Sequence, residues 1–254
     1  MSGDKEKPFF IGFVDTPKEL RPFLLTVAVI LVIAFAGLAL AIGVTQDEPA
    51  EAAFRFDWGP QTVTGILEND PYPILHVTEG SERVPAGTTI MLSGVGKNGV
   101  QSRSVDLEGQ LAQVTGIMLK RGALDMMQVG GRSDSLTSSD GTPGPVDGES
   151  LGTWRLAGEI CDGKCLAGAM RPGRGLAHKA CANLCLDGGV PPVFVASAPL
   201  EGNEFLLIGG ADGGPMSDSL QDHVGTYVEI EGEVERRGSV LVLKADPDSL
   251  KVLP

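Results

Sequence analysis

The longest apolar stretch of the chain lies near its N-terminus. Residues 23–44 read FLLTVAVILVIAFAGLALAIGV and contain no charged side chain. A helix of this length, at ~1.5 Å per residue, crosses a hydrocarbon core of ~30 Å. A cleaved signal peptide is the alternative, because small residues follow the stretch, but the apolar region of such a peptide is usually only about 7–15 residues long. The pattern therefore predicts a retained transmembrane helix.

The remainder of the chain shows the short alternation of apolar and polar positions that is typical of β-strands. Its runs are punctuated by Gly and Pro, of which the chain has 35 and 17. No long helical periodicity follows residue 44. We therefore predict a mainly β portion beyond the apolar helix.

Part of this β portion is repeated. Residues 89–129 align with residues 204–245 at a nearly constant offset, and each copy places an Arg-Gly turn, Arg121-Gly122 or Arg237-Gly238, before its last strand. A repeat of this kind indicates two similar structural units. Each has about five strands and ends in a meander, an order that resembles a small OB-like barrel, with a β-sandwich-like module as the alternative.

The two copies differ in the turn between their first two strands. The first copy needs only the short segment Glu68 to Pro71, whereas the second holds a long Cys-rich, partly helical insertion. Segment 130–150 lacks apolar periodicity and is typical of a linker. The predicted organisation is a cytoplasmic segment (1–22), a transmembrane helix (23–44), a juxtamembrane linker (45–60), a first OB-like β-barrel module (61–129), a flexible linker (130–150) and a second such module (151–254) with the insertion at 161–189.

Charge predicts the orientation of the helix. Four bases precede it (Lys5, Lys7, Lys18 and Arg21), and only Arg55 occurs in the 20 residues after it. The positive-inside bias then places the N-terminus in the cytoplasm and the β portion in the periplasm of a bacterial inner membrane. The net charge of −13 belongs to the part beyond residue 22, because the first 22 residues hold four bases and four acids. Such an acidic portion disfavours nucleic acid as a partner.

All four cysteines of the chain fall within one 25-residue stretch of the insertion. If both arms are helical, residues i and i+4 share a face, and a hairpin brings together Cys161 with Cys185 and Cys165 with Cys181 as nested disulfides. An oxidising periplasm favours this interpretation. The layout resembles the twin Cys-x3-Cys helical hairpin of small mitochondrial intermembrane-space chaperones, over the insertion alone.

A metal site is the alternative for the same residues. His178, Cys181 and Cys185 lie at i, i+3 and i+7 of one helix, and Cys161 or Cys165, or both, would complete a set that suits zinc or an iron–sulfur centre. The chain has no Cys-x2-Cys-His, which argues against c-type haem, and no Cys-x2-Cys, which argues against a thioredoxin-type centre. Basic residues around the cysteines form a candidate basic tip, with a solvated loop as the alternative: Lys164, Arg171, Arg174 and Lys179.

The insertion also resembles segments of uncharacterised single-pass bacterial membrane proteins with duplicated OB-like modules. The shared motif reads Lys-Cys…Pro-Gly…His-x2-Cys-x3-Cys, and Cys161 lies outside it. The resemblance implies a core set of four residues and favours a metal, but it implies no activity. The four residues are Cys165, His178, Cys181 and Cys185.

No Walker loop and no His-Glu-x2-His accompanies the cysteines. The leading prediction is therefore a non-catalytic accessory or assembly subunit of a membrane complex, respiratory or otherwise redox-active. A metal-binding redox or metal-delivery protein is the second hypothesis. A periplasmic thiol-disulfide protein is the third.

Overall fold

The computed structural model describes residues 16–45, 50–146 and 148–254. Most of the predicted cytoplasmic segment, residues 1–15, lies outside these ranges. The chain divides into two compact units, one holding the N-terminal helix and the other all of the β structure.

Helix α1 spans Arg21–Thr45 and is exposed along almost its whole length. It is long and apolar enough to cross a membrane, which confirms the predicted single apolar helix near the N-terminus. A signal sequence near the N-terminus can also be apolar enough to resemble such a helix.

The first β module is a ring of five strands with additions at one strand. Antiparallel pairs join β2–β3, β3–β4, β2–β5 and β5–β6, and the parallel pair β4–β6 completes the ring; β1 and β7 pair with β5. The elements are β1 (Ala52–Phe54), β2 (Gln61–Glu68), β3 (Ile74–Glu79), β4 (Thr89–Ser93), α2 (Gln101–Ser104), β5 (Leu111–Arg121), β6 (Leu124–Val129) and β7 (Leu136–Ser138).

The second β module is a closed five-stranded barrel with the same pairing order, β8-β9-β10-β12-β11. Its third and fifth strands, β10 and β12, are parallel, like β4 and β6 of the first module. The predicted mainly β fold is thereby confirmed. The elements are β8 (Gly148–Asp162), α3 (Lys179–Asp187), β9 (Pro192–Leu200), β10 (Asn203–Gly210), α4 (Asp218–Gln221), β11 (Tyr227–Arg237) and β12 (Val240–Val252).

Strand β11 illustrates how alternation builds the barrel. Val228, Ile230 and Val234 are fully buried, and each such side chain contributes about 1.5–3 kcal/mol through burial. The intervening glutamates face outward, where Glu229 and Glu233 lie 3.8 Å from the ammonium groups of lysines on β12. Each module encloses its own apolar cluster in this way.

A third apolar cluster joins the two modules, and equivalent positions of the repeat build it. Packing through the same surface of each copy is the arrangement of an isologous two-fold dimer, here within one chain. The equivalent pairs in this cluster are Ile74 and Val193, Met91 and Leu207, Leu124 and Val240, and Met126 and Val242.

The Arg-Gly turns cross the same junction in both directions. Arg121 of the first module donates to the carbonyl of Leu166, 3.2 Å away, in the second. Arg237 of the second module donates to the Glu68 carboxylate (2.5 Å) and to the Asp70 carbonyl (2.6 Å) of the first. The arginine of each turn therefore forms hydrogen bonds with the other module.

Both segments predicted as linkers contain strands. Segment 45–60 includes β1, and segment 130–150 includes β7 and the first residues of β8. Strand β8 begins at Gly148, which pairs with Arg237. Apolar alternation does not mark residues 148–155, because nearly all of them are solvent-exposed on both faces.

Candidate metal centre

The predicted insertion lies between β8 and β9 and is partly helical. A short helical turn over Cys165–Ala169 ends at Gly168, whose φ of 139° departs from helical geometry. A loop leads to α3, and His178 occupies the position before its first residue without a side-chain capping hydrogen bond. Gly188 and Gly189 follow the helix, and Gly189 has a φ of 86° that favours glycine.

Cys161 points away from the other cysteines. It is still part of β8, pairs with Val193, and lies in the apolar cluster between the modules. Its thiol donates to Glu159 Oε1 at 3.2 Å, and burial raises its pKa well above the usual value. Cys161 therefore cannot share a ligand set with the rest of the insertion.

The other three cysteines and His178 come together. Cys165, Cys185 and His178 are buried, whereas Cys181 is partly exposed. The Sγ atoms of Cys165 and Cys185 are 4.0 Å apart. Candidate ligand atoms lie within 4.8 Å of one another in two overlapping trios, which are Cys165, His178 and Cys181, and Asp162, Cys165 and Cys185.

Neither predicted disulfide is present. All four cysteines lie in the described part of the chain, and all are free. Cys161 belongs to the apolar cluster between the modules, whereas Cys185 belongs to a separate cluster with Cys165 and Val190. A disulfide needs an S–S distance of about 2.05 Å, and the recorded approach of 4.0 Å joins Cys165 to Cys185, a pair that the nested pattern did not include.

Asp162 belongs to the site, although sequence reasoning missed it. Its Oδ2 lies 3.0 Å from His178 Nε2, and its Oδ1 accepts the backbone N–H of Cys165 at 2.8 Å. Both side chains of the Asp–His pair are buried, at 0% and 3% exposure. A carboxylate bonded to one ring nitrogen commonly orients a metal-binding histidine. The only sequence signal was its position beside Cys161.

Lys97 reaches the sulfurs from the first module. Its ammonium donates to Cys181 Sγ at 2.8 Å and to the Cys181 carbonyl at 3.2 Å, and lies 3.7 Å from Cys185 Sγ. The bond to Cys181 raises the pKa of Lys97. A hydrogen bond from Cys165, reinforced by Lys97, lowers the pKa of Cys185, while the same bond and burial raise that of Cys165.

Backbone contacts fix the loop that carries Lys97. Gly99 N–H donates to the Gly188 carbonyl at 2.7 Å, and Gln101 Nε2 donates to the Gly189 carbonyl at 2.6 Å. This loop of the first module thus covers the C-terminal end of α3.

Of the four residues predicted as a basic tip, Lys164 is buried. Its ammonium donates to the Gly94 and Gly96 carbonyls at 2.6 and 2.7 Å, and burial lowers its pKa. The other three bases separate: Arg171 is exposed, Arg174 lies 3.4 Å from the Glu159 carboxylate, and Lys179 donates to the Asp222 carbonyl at 2.5 Å.

No protein-family model matches the chain, and no curated protein or solved structure matches it. The donor chemistry of the pocket therefore has to indicate its ligand. Three sulfurs and one imidazole form a set that zinc favours over calcium or magnesium, which take oxygen ligands. These Cys and His residues could hold a metal ion.

Proposed function

We propose that this chain is a membrane-anchored metal-binding protein whose site holds one Zn²⁺ ion. The proposed ligands are the sulfurs of Cys165, Cys181 and Cys185 and the imidazole of His178. Because His178 Nε2–H donates to the Asp162 carboxylate, Nδ1 is the ring nitrogen that is left to bind the metal. Cys161, outside this set, has a packing role.

The 4.0 Å separation of Cys165 Sγ and Cys185 Sγ carries the proposal. Two sulfurs bound to one tetrahedral zinc at ~2.3 Å lie about 3.8 Å apart. The pair is therefore spaced as neighbouring ligands of one ion, and too far apart for a bond to each other. His178 and Cys181 offer ligand atoms within 4.8 Å of Cys165 in a second group, so Cys165 is common to both groups.

Charge supports a divalent ion. With three thiolates and the Asp162 carboxylate, the pocket holds four negative charges, and the ammonium groups of Lys97 and Lys164 offset two of them. A divalent cation offsets the other two. Buried charge is costly unless it is compensated in this manner.

Metal content and free thiols, measured together on the full chain purified in nonionic detergent, test the proposal. We expect one zinc per chain. Cys165→Ala should lose the metal, whereas Cys161→Ala, at an equally buried cysteine, should keep it and lose only packing energy of about 1 kcal/mol. Metal-free chains without free thiols would contradict the site, and so would equal metal loss in the two variants.

We also propose that the two rings are OB-like modules, and that α1 is a retained anchor placing them in the periplasm. The shared pairing order and the parallel third and fifth strands support the first statement. The charge difference across α1 supports the second. Protease added to spheroplasts should digest the β portion of the full chain. Digestion only after the membrane is disrupted would show that the β portion lies on the cytoplasmic side, which contradicts the proposed orientation.

An accessory role in a membrane complex remains a proposal, favoured by exposed apolar side chains on the insertion. Met170, Leu176 and Leu184 are 45%, 68% and 58% exposed. We expect gentle detergent extraction to yield a complex that Leu184→Asp disrupts while its zinc content stays unchanged. A wild-type protein that migrates alone would contradict the accessory role and leave the metal site standing.

A further inference from the structure

The donors of the metal centre differ in their access to solvent. Asp162, Cys165, His178 and Cys185 are 0–4% exposed. Cys181 alone among the sulfurs of the pocket is partly exposed. An incoming ion therefore meets Cys181 first.

Lys97 lies at this outer position. It is an exposed residue in a loop whose residues 95–98 are all exposed, and its ammonium contacts Cys181 through both the sulfur (2.8 Å) and the carbonyl (3.2 Å). A lysine side chain has four flexible methylene groups and can swing away without a backbone movement. The exposed side of the donor cluster therefore carries a positive charge on a flexible side chain.

This charge opposes the long-range field of the protein. The net charge of −13 attracts cations from a distance. Within the last few ångströms the Lys97 ammonium repels a hydrated dication, because like charges only a few ångströms apart repel each other even in water. The same ammonium attracts a metal that arrives inside a negatively charged complex. Lys164 is buried and adds a second positive charge near Cys165 and Cys185.

We propose that the site takes its metal from an anionic metal complex, a carboxylate or thiolate chelate, and that Lys97 positions that complex. The inference rests on the proposed metal site. In the exchange, one metal–oxygen or metal–sulfur bond of the incoming complex breaks as the bond to Cys181 Sγ forms, and the Cys181 thiol proton passes to water or to the released ligand group. Lys97 leaves Cys181 and pairs with the released anionic group, and no electrons are transferred.

Loading rates from two cobalt sources test this role. Reduced, metal-free full chain in nonionic detergent is mixed with aqueous Co²⁺ or with cobalt citrate at equal total cobalt and ionic strength, and the sulfur-to-cobalt absorption is followed. Lys97→Met should speed loading from the free ion and slow loading from the citrate complex, each by roughly three- to tenfold at low salt. Both changes should shrink as salt is added.

Two further variants keep the result interpretable. Lys97→Arg retains the charge and should behave like the wild type. Lys179→Met removes a base of α3 that donates to the Asp222 carbonyl, and it should leave both rates unchanged. If Lys97→Met changes neither loading rate relative to the wild type, or changes both in the same direction, the proposed role of Lys97 is wrong. If the wild type develops no cobalt–thiolate absorption, the metal site itself fails, and this proposal with it.

Discussion

Three charged residues decide what the sulfurs of the insertion can do. Asp162 fixes the imidazole of His178, and Lys97 contacts the partly exposed sulfur of Cys181. Lys164 places a buried positive charge near Cys165 and Cys185. Cys161 is also a cysteine, but it lies in the apolar cluster between the modules and not with the other sulfurs. Residue type alone therefore selects neither the right cysteines nor their charged neighbours.

Replacement of Asp162 by Asn should weaken zinc binding about 10- to 100-fold. The amide would donate to Nε2 of His178, which moves the ring proton to Nδ1 and removes the lone pair that the metal needs. Competition against a chromophoric chelator measures the affinity. Asp140→Asn, an exposed substitution, serves as the control. An Asp162→Asn protein with wild-type affinity would show that the carboxylate does not orient the ligand.

At the scale of elements, the site is an insertion in one module covered by a loop of the other. The loop between β4 and α2 of the first module packs on the end of α3. The equivalent loop of the second module, between β10 and α4, contacts the first module in turn, where Met216 N–H donates to the hydroxyl of Tyr72 at 3.2 Å. The same contact thus occurs twice, and only one copy carries the cysteines.

Gly188→Ala tests the contact between the loop and α3. The φ of Gly188 is −79°, which alanine adopts freely, but the added Cβ would lie 1.8 Å from the Lys97 carbonyl oxygen. Displacement of the loop should lower the free energy of unfolding by roughly 1–3 kcal/mol. Urea denaturation measures this. Gly144→Ala has no atom within 4 Å of its new Cβ and should be neutral. Equal stability of the two variants would mean that the loop can move away from Gly188 without a loss of stability.

For the molecule as a whole, the shared apolar cluster makes the two β modules one compact unit. Met91 and Leu207 occupy equivalent positions in that cluster, are 1% and 0% exposed, and belong to different modules. Removal of one module would expose this surface of the other. The modules should therefore unfold together.

Calorimetry of the full chain should show one cooperative transition for the β unit, with equal calorimetric and van't Hoff enthalpies. Met91→Ala and Leu207→Ala should each destabilise that single transition by about 2–5 kcal/mol. Val105→Ala, at a side chain that is 61% exposed, provides the matched control. Two resolved transitions, with only one shifted by each substitution, would show that the modules unfold independently.

The sequence by itself determined the features that depend on local periodicity and composition. These are the apolar helix, the mainly β character, the repeat, and an insertion that holds His178 and three of the four cysteines. A strand or helix shows its period within a few residues, and the repeat is found by aligning the two copies, so none of these features requires the tertiary structure.

Only the tertiary structure decided which of those residues share a site. Cys161 lies on an outward position of β8 that the first module covers, and Lys97 meets Cys181 across 84 positions of sequence. Spacing along the chain contains no information about either contact, since both arise where one module packs on the other. Alternation predicts that a side chain faces outward from its own module. Only the packing of the other module shows which residues it contacts there.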